Sequence, residues 1–257
     1  MYSNSLLCVL SLSFSCSEDS VTDEFTNANG NVQEKLITSI SITSAQNNLE
    51  NEKIELSYTQ DGKLNTITNG VNTNIFVYNN NNELTDIAGS GINNLSLEEL
   101  YQSPYDAFEA GDVLNYDDNG NPKTIEFYEE WYEYNYITGN YEYFKEIYTA
   151  NISYDDAPNP YFFTLQAGGI IDVLDGIELN FSLNPQVPEI VQAKMLFPSN
   201  NPSQIVYKNE NGETIYTINA NYSYDSDNYP TSGTITAVSS GITTEQSTYS
   251  VVYEYLN

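Results

Sequence analysis

The chain of 257 residues contains no histidine and no arginine, and both cysteines, Cys8 and Cys16, fall within the first sixteen residues. Without imidazole there is no Ser-His-Asp triad, no histidine general base and no histidine-ligated zinc. With both thiols near the N-terminus, the rest of the chain has no disulfide, thiol nucleophile or cysteine metal site. Positive charge is scarce too: seven lysines face 36 acids, for a net charge of −29. Phosphate contacts are made mostly by Arg and Lys, so nucleic acid is excluded as a partner. The same charge repels the folded chain from an anionic membrane surface. It reads as solubility at a cell surface or in salty medium rather than as a dedicated cationic ligand site. No cofactor is called for.

A recurring unit dominates what is present: a tyrosine, an Asx-rich tight loop, then a leucine or proline six residues after the tyrosine. Its copies run from Tyr58 to Leu64, Tyr78 to Leu84, Tyr116 to Pro122 and Tyr224 to Pro230. The fourth residue after each tyrosine is Gly62, Asn82, Gly120 or Asn228, the residue types that accept a left-handed backbone at least cost. The unit therefore predicts a hairpin, with a type I turn and a left-handed residue that forms a bulge. The run Tyr207 to Gly212 looks one residue longer. The run Tyr154 to Pro160 replaces the glycine with proline, so its chain must leave the hairpin differently. Leu64 and Ile67, three apart, fall on opposite faces unless a bulge intervenes.

Tyr216, Ile218, Ala220, Tyr222 and Tyr224 alternate with polar residues, the period of a strand with one buried face. Tyr249, Val251, Tyr253 and Tyr255 repeat the pattern. Helix signals are confined to Ser96–Tyr101, which opens as a capping box, and to the stretch between Pro160 and Ser199. The expected fold is all-β. An antiparallel up-and-down meander of hairpins forms a strongly curled sheet or partly open barrel, with one to three short helices in insertions.

Leu6 to Phe14 is a short apolar run, too short to span a bilayer and of the length of a signal-peptide core. With Leu12-Ser13-Phe14-Ser15 before Cys16, it resembles the lipobox of bacterial lipoproteins, in which the cysteine receives the lipid. Cys16-Ser17-Glu18-Asp19 resembles the acidic tag of Bacteroidota lipoproteins on the outer face of the outer membrane. Met1-Tyr-Ser-Asn carries no lysine or arginine, a departure that leaves a start further upstream, or an accidental match, open. The plainer alternative is an apolar N-terminal segment with a buried cysteine. The expected organisation is a signal peptide over 1–15, a flexible polar tether over 16–30 and a single β domain over 31–257.

Glu126 to Tyr154 holds eight tyrosines and Trp131, the chain's one tryptophan. Ile137-Thr-Gly-Asn140 offers a turn, so two long strands pair here, with Tyr132, Tyr134 and Tyr136 on one face and Trp131, Glu133 and Asn135 on the other. Trp131, Tyr132, Tyr134 and Tyr136 beside Glu133 have the chemistry of a glycan platform, with rings for sugar C–H faces and carboxylate for hydroxyls. The plainer reading is that tyrosine suits half-buried strands. Asp117–Asn121 and Asp225–Asn228 resemble calcium loops superficially. An EF-hand needs glycine sixth and glutamate twelfth; here those places hold Pro122 and Tyr128, or Pro230 and Thr236. No metal site is expected. A glycoside hydrolase needs only two carboxylates, and 36 acids always supply a pair, so that signal is void.

The repeated units look like the tyrosine–aspartate repeats of large bacterial shell proteins. With Cys16 and the run Tyr154–Phe162, the chain more closely resembles uncharacterised Bacteroidota lipoproteins with a porin-like antiparallel sheet. That resemblance implies a fold and an outer-membrane location, and no catalytic residues. The expected function is a lipid-anchored, non-enzymatic surface protein, either structural or capturing a ligand such as a glycan. The other reading is a carboxylate-dependent carbohydrate-active enzyme. The expected partners are the membrane, through the N-terminal lipid alone, and a polysaccharide or surface protein.

Overall fold

Twelve strands pair into one antiparallel sheet in the computed structural model, which describes residues 20–89, 112–176, 189–240 and 244–256. They are β1 (Ile37–Ser44), β2 (Glu52–Tyr58), β3 (Leu64–Thr68), β4 (Thr73–Tyr78), β5 (Leu84–Gly89), β6 (Asp112–Tyr116), β7 (Pro122–Asn135), β8 (Asn140–Pro158), β9 (Asn200–Lys208), β10 (Thr214–Tyr224), β11 (Pro230–Ser240) and β12 (Thr244–Tyr255). The helices are α1 (Val21–Asn29), α2 (Phe162–Ala167), α3 (Ile170–Asp175) and α4 (Glu189–Leu196). Across the sheet the order is β5-β4-β3-β2-β1-β12-β11-β10-β9-β8-β7-β6. The first and last strands pair in the middle, Ile37 opposite Tyr255. The two edges are β5 and β6, and no pairing joins them among the described residues. The meander is therefore open.

The repeated unit builds one rim of this sheet. The predicted left-handed residues are left-handed: Gly62, Asn82, Gly120 and Asn228 have φ of 80°, 64°, 80° and 67°. The residue opening each turn anchors it. Asp117 Oδ1 accepts from the amides of Asn119 and Asn121, both at 2.9 Å. Asn79 and Asp225 do the same for their own turns. The Leu-to-Ile spacing is resolved by a bulge. Tyr58 lies opposite Leu64 and Ser57 opposite Thr66, so Asn65 is the extra residue, and both Leu64 and Ile67 are buried. Thr85, Lys123 and Thr231 are skipped in the same way.

Four tyrosines near this rim have a common task. Tyr58 donates to the carbonyl of Ile37, Tyr78 to Leu64, Tyr154 to Pro122 and Tyr255 to Pro230, all at 2.6–2.8 Å. Each of these four tyrosines thus holds the first residue of the neighbouring strand, whereas Tyr116 and Tyr224 donate to the Met195 carbonyl and to Asp155.

One expectation about the units is corrected, and one is met. The turn after Tyr207 is not longer. It runs from Asn209 to Glu213 with Gly212 at φ 77°, and Lys208 takes the tyrosine's place. This copy stands at the opposite rim. The Tyr154 unit keeps the pattern across a large insertion, with Tyr154 opposite Pro202 and Ser203 skipped. Its loop has grown to hold α2, α3 and α4.

Those helices line the inner face of the sheet. The α2–α3 corner, Gly168-Gly169, leaves only 3.0–3.3 Å between a notional Cβ and Leu64, Phe76 or Leu84. Thr164 accepts from the Ile37 amide at 2.9 Å. Strands from β3 to β11 contribute to this one core, including Ile67, Ile125, Ile152, Ile205, Ile218 and Ile235. A sheet whose distant strands meet the same helical layer is curled around it.

The expected flexible tether over 16–30 is corrected in part: Val21–Asn29 is α1. Ser20 caps it, accepting from the Asp23 amide at 3.0 Å. Val21 and Thr22 donate to Asp175, each at 2.6 Å, and Phe25 stacks on Phe162 at 3.7 Å. Two apolar residues spaced four apart in a polar run give little periodicity, yet they suffice to dock a helix when a core receives them. Among the described residues, three helices lie in the insertion, as expected, and α1 is additional. Cys16, the signal segment and Ser96–Tyr101 lie outside the described residues.

Candidate functional site

The β7–β8 hairpin outruns its neighbours. The pairing of β7 with β6 ends at Glu126, opposite Asp112. The pairing of β8 with β9 reaches only to Thr149, opposite Lys208. Beyond those points, among the described residues, β7 and β8 pair only with each other, from Phe127 opposite Tyr148 out to Asn135 opposite Asn140. At about 3.3 Å per residue, this two-stranded arm projects about 25 Å past the sheet. Its tip is closed by Asn135, which accepts from the Ile137 and Thr138 amides at 2.8 and 3.2 Å, and by Gly139 at φ 70°.

Sequence reasoning placed Trp131, Tyr132, Tyr134, Tyr136 and Glu133 here, and the structure divides them between two faces. Residues directly opposite share a face. One face holds Tyr128, Glu130, Tyr132 and Tyr134 with Ile147, Lys145, Tyr143 and Tyr141. The other holds Glu129, Trp131 and Glu133 with Glu146, Phe144 and Glu142. The second is continuous with the inner face of the sheet through Phe127, which stacks on Tyr148 at 5.4 Å and meets Tyr207 edge-on. A single flat platform using Trp131 and Tyr132 together is therefore excluded. Tyr136 sits in the turn, and its ring meets Tyr134 at 5.1 Å.

The tyrosine face is a run of touching rings. Tyr132 meets Tyr143 at 5.5 Å and Tyr134 meets Tyr141 at 5.2 Å. Tyr132 is 70 % exposed and Tyr136 91 %. At its root Lys145 lies 3.7 Å from the Tyr128 ring centroid. Tyr143 donates to Glu130 at 2.5 Å, and that bond to a carboxylate pushes the Tyr143 phenol up to about 12. The Tyr143 phenol stays protonated and keeps its donor at neutral pH.

Tyr141, Tyr143, Phe144 and Lys145 were missed as site residues. They lie on the returning strand, and only the register set by the tip turn brings each opposite its partner. A second polar cluster lies at the other rim, where Tyr224 donates to the half-buried Asp155 and Asn201 lies within 3.5 Å of the same carboxylate. Burial pushes the Asp155 carboxyl up from its ordinary value. Among the described residues, no three acidic side chains gather closely enough to hold a metal ion.

No protein-family model and no curated protein matches the chain. Among solved structures, it is similar to a porin-like protein from Bacteroides uniformis at 12 % identity and TM-score 0.33, covering 88 % of this chain and 99 % of that one. A porin-like protein from Bacteroides vulgatus aligns at 11 % identity and TM-score 0.34, covering 86 % and 99 %. Both likenesses are remote.

Proposed function

We propose that the protein is a lipid-anchored, non-enzymatic module on the outer face of an outer membrane, and that the tyrosine face of its arm captures glycan. The projecting ribbon carries the reading. A free two-stranded hairpin with exposed rings along one face contributes little to the core, so its composition answers to something outside the fold. Stacked phenol rings offer apolar faces to sugar C–H groups, and their hydroxyls and Glu130 offer hydrogen bonds to sugar hydroxyls.

Orientation supports the same reading. The described chain enters at the rim built by the Tyr58, Tyr78, Tyr116 and Tyr224 turns, where α1 docks and Lys35 pairs with Asp225. The arm leaves from the opposite rim. With a lipid at Cys16, a few residues before α1, the arm points away from the membrane. The arm's carboxylates sit on an open ribbon that does not exclude water, so the arm favours capture over the carbohydrate-active enzyme.

Glycan-array binding tests the capture. The unmutated protein binds at least one glycan class, and Tyr132→Ala with Tyr143→Ala weakens it by about tenfold, or about 1.4 kcal/mol. Failure of the unmutated protein to bind any sugar sinks the reading. For the anchor, processing is globomycin-sensitive and Cys16→Ala releases the protein. A membrane-bound Cys16→Ala variant would refute it.

A further inference from the structure

The opposite face of the arm has a different chemistry. We propose that it receives a basic segment of a partner protein, with a lysine or arginine side chain lying on Trp131 and Phe144. The two rings are directly opposite, 5.5 Å apart and 15° from parallel. They are 37 % and 38 % exposed, a stacked aromatic plate partly open to solvent. The register then puts like charges together on both sides of the plate: Glu129 opposite Glu146, and Glu133 opposite Glu142. Like charges directly opposite destabilise a strand pair, so the arm's own stability does not account for the arrangement.

No lysine of the arm compensates for it. Lys145 is on the other face, with Glu130 and Tyr128. The ion pairs of Lys35 and Lys53 involve none of these four glutamates. The partners that the glutamates do have are neutral: Glu142 accepts from the Asn135 amide at 2.6 Å, and Glu146 from the Tyr148 phenol. Glu210 adds a further carboxylate at the root, accepting from the Ile147 amide at 3.1 Å.

An aromatic plate between carboxylate pairs is complementary to an organic cation, which gains both ring-face attraction and ion pairing. The repeat distance selects a polypeptide. Glutamate pair, aromatic pair and glutamate pair follow at two-residue steps, about 7 Å apart. Side chains on one face of an extended segment recur at that same step. Among the described residues, neither outer edge of the arm has a strand partner, which lets such a segment run alongside.

A molecule of net charge −29 attracts any polycation, so the test must separate the plate from bulk charge. Trp131 is the one tryptophan, and its fluorescence reports on the plate directly. The full chain is titrated with decalysine at about 0.15 M salt, where the Debye length is about 8 Å. Saturable binding changes the Trp131 emission. Glu133→Gln with Glu142→Gln weakens that binding by about tenfold, or about 1.4 kcal/mol. Asp61→Asn with Glu83→Gln, an equal charge loss at the far rim, changes it by less than about twofold on the same scale. Tyr132→Ala with Tyr143→Ala leaves it intact, separating this face from glycan capture. Equal weakening by both charge-neutralising pairs overturns the proposal, as does a lack of binding or binding without any change in emission.

Discussion

Single atoms decide outcomes at several positions. Gly233 lies opposite Tyr222. A Cβ placed there would stand 2.6 Å from Tyr222 Cδ1 and 3.2 Å from a methyl of the buried Val251. The Tyr222 ring rests on the bare glycine and cannot retreat without disturbing the core. Gly233→Ala therefore destabilises the protein by about 1–3 kcal/mol as overpacking, read as a lower urea midpoint at unchanged slope. The tyrosine hydroxyls divide by role in the same way. Tyr78 spends its hydroxyl on the Leu64 carbonyl, whereas Tyr132 is mostly exposed. Tyr78→Phe costs about 1 kcal/mol, and Tyr132→Phe leaves the unfolding midpoint unchanged. Equal effects in the two variants would deny the tyrosine grip its part in stability.

At the scale of elements, sequence legibility followed locality. Each turn was readable because its requirement, a left-handed residue at Gly62, Asn82, Gly120 or Asn228, is met within six residues. The split of Trp131 from Tyr132 and Tyr134 was readable because strand period is local too. The returning half of the arm was not, since Tyr143 and Phe144 become neighbours of Tyr132 and Trp131 only through register. Nor was α1, whose Phe25 is worth little until Phe162, far along the chain, stacks on it. Lys208 shows the rule from the other side. Its turn has the same geometry as its siblings but stands at the rim away from the turn-rim helices, where the tyrosine grip is absent. The arm follows the same logic of independence. Because among the described residues it pairs only with itself beyond Glu126 and Thr149, replacing residues 130–145 by an Asn-Gly turn shifts the unfolding midpoint by no more than about 1 kcal/mol equivalent. Sugar and decalysine binding are abolished together. A large loss of stability would show that the arm belongs to the folding unit.

For the whole molecule, charge is the governing quantity. With 36 acids and seven lysines, self-repulsion opposes the compact state at neutral pH. Two carboxylates modulate this with opposite signs. Burial pushes the Asp155 carboxyl up. Its folded form therefore binds a proton more readily than the unfolded chain, and this contribution grows as pH falls and is lost as pH rises. Asp225 behaves inversely. Burial alone would raise it, but the Lys35 ammonium and the Tyr229 and Asp227 amides outweigh burial and hold it below its ordinary value. Its stabilisation is present at neutral pH and disappears as pH falls through the lowered value. Lys35, clasped by Asp225 and Asp227 at 2.6 and 2.7 Å and lying 5.5 and 5.9 Å from the ring centroids of Tyr229 and Tyr255, ties the entry to β1 to the β10–β11 turn. Stability should therefore rise from pH 7 into the mildly acidic range as repulsion subsides, then fall once Asp225 is protonated. Added salt should raise the melting temperature at pH 7 and do less near the maximum, because it screens the repulsion already removed there. Lys35→Met leaves two partly buried carboxylates facing each other. It should cost about 1–3 kcal/mol at pH 7, and much less at a pH low enough to protonate both. A melting temperature that is flat from pH 7 to pH 5 and indifferent to salt would mean that the charge is too dispersed to govern folding, and that Lys35 acts only locally.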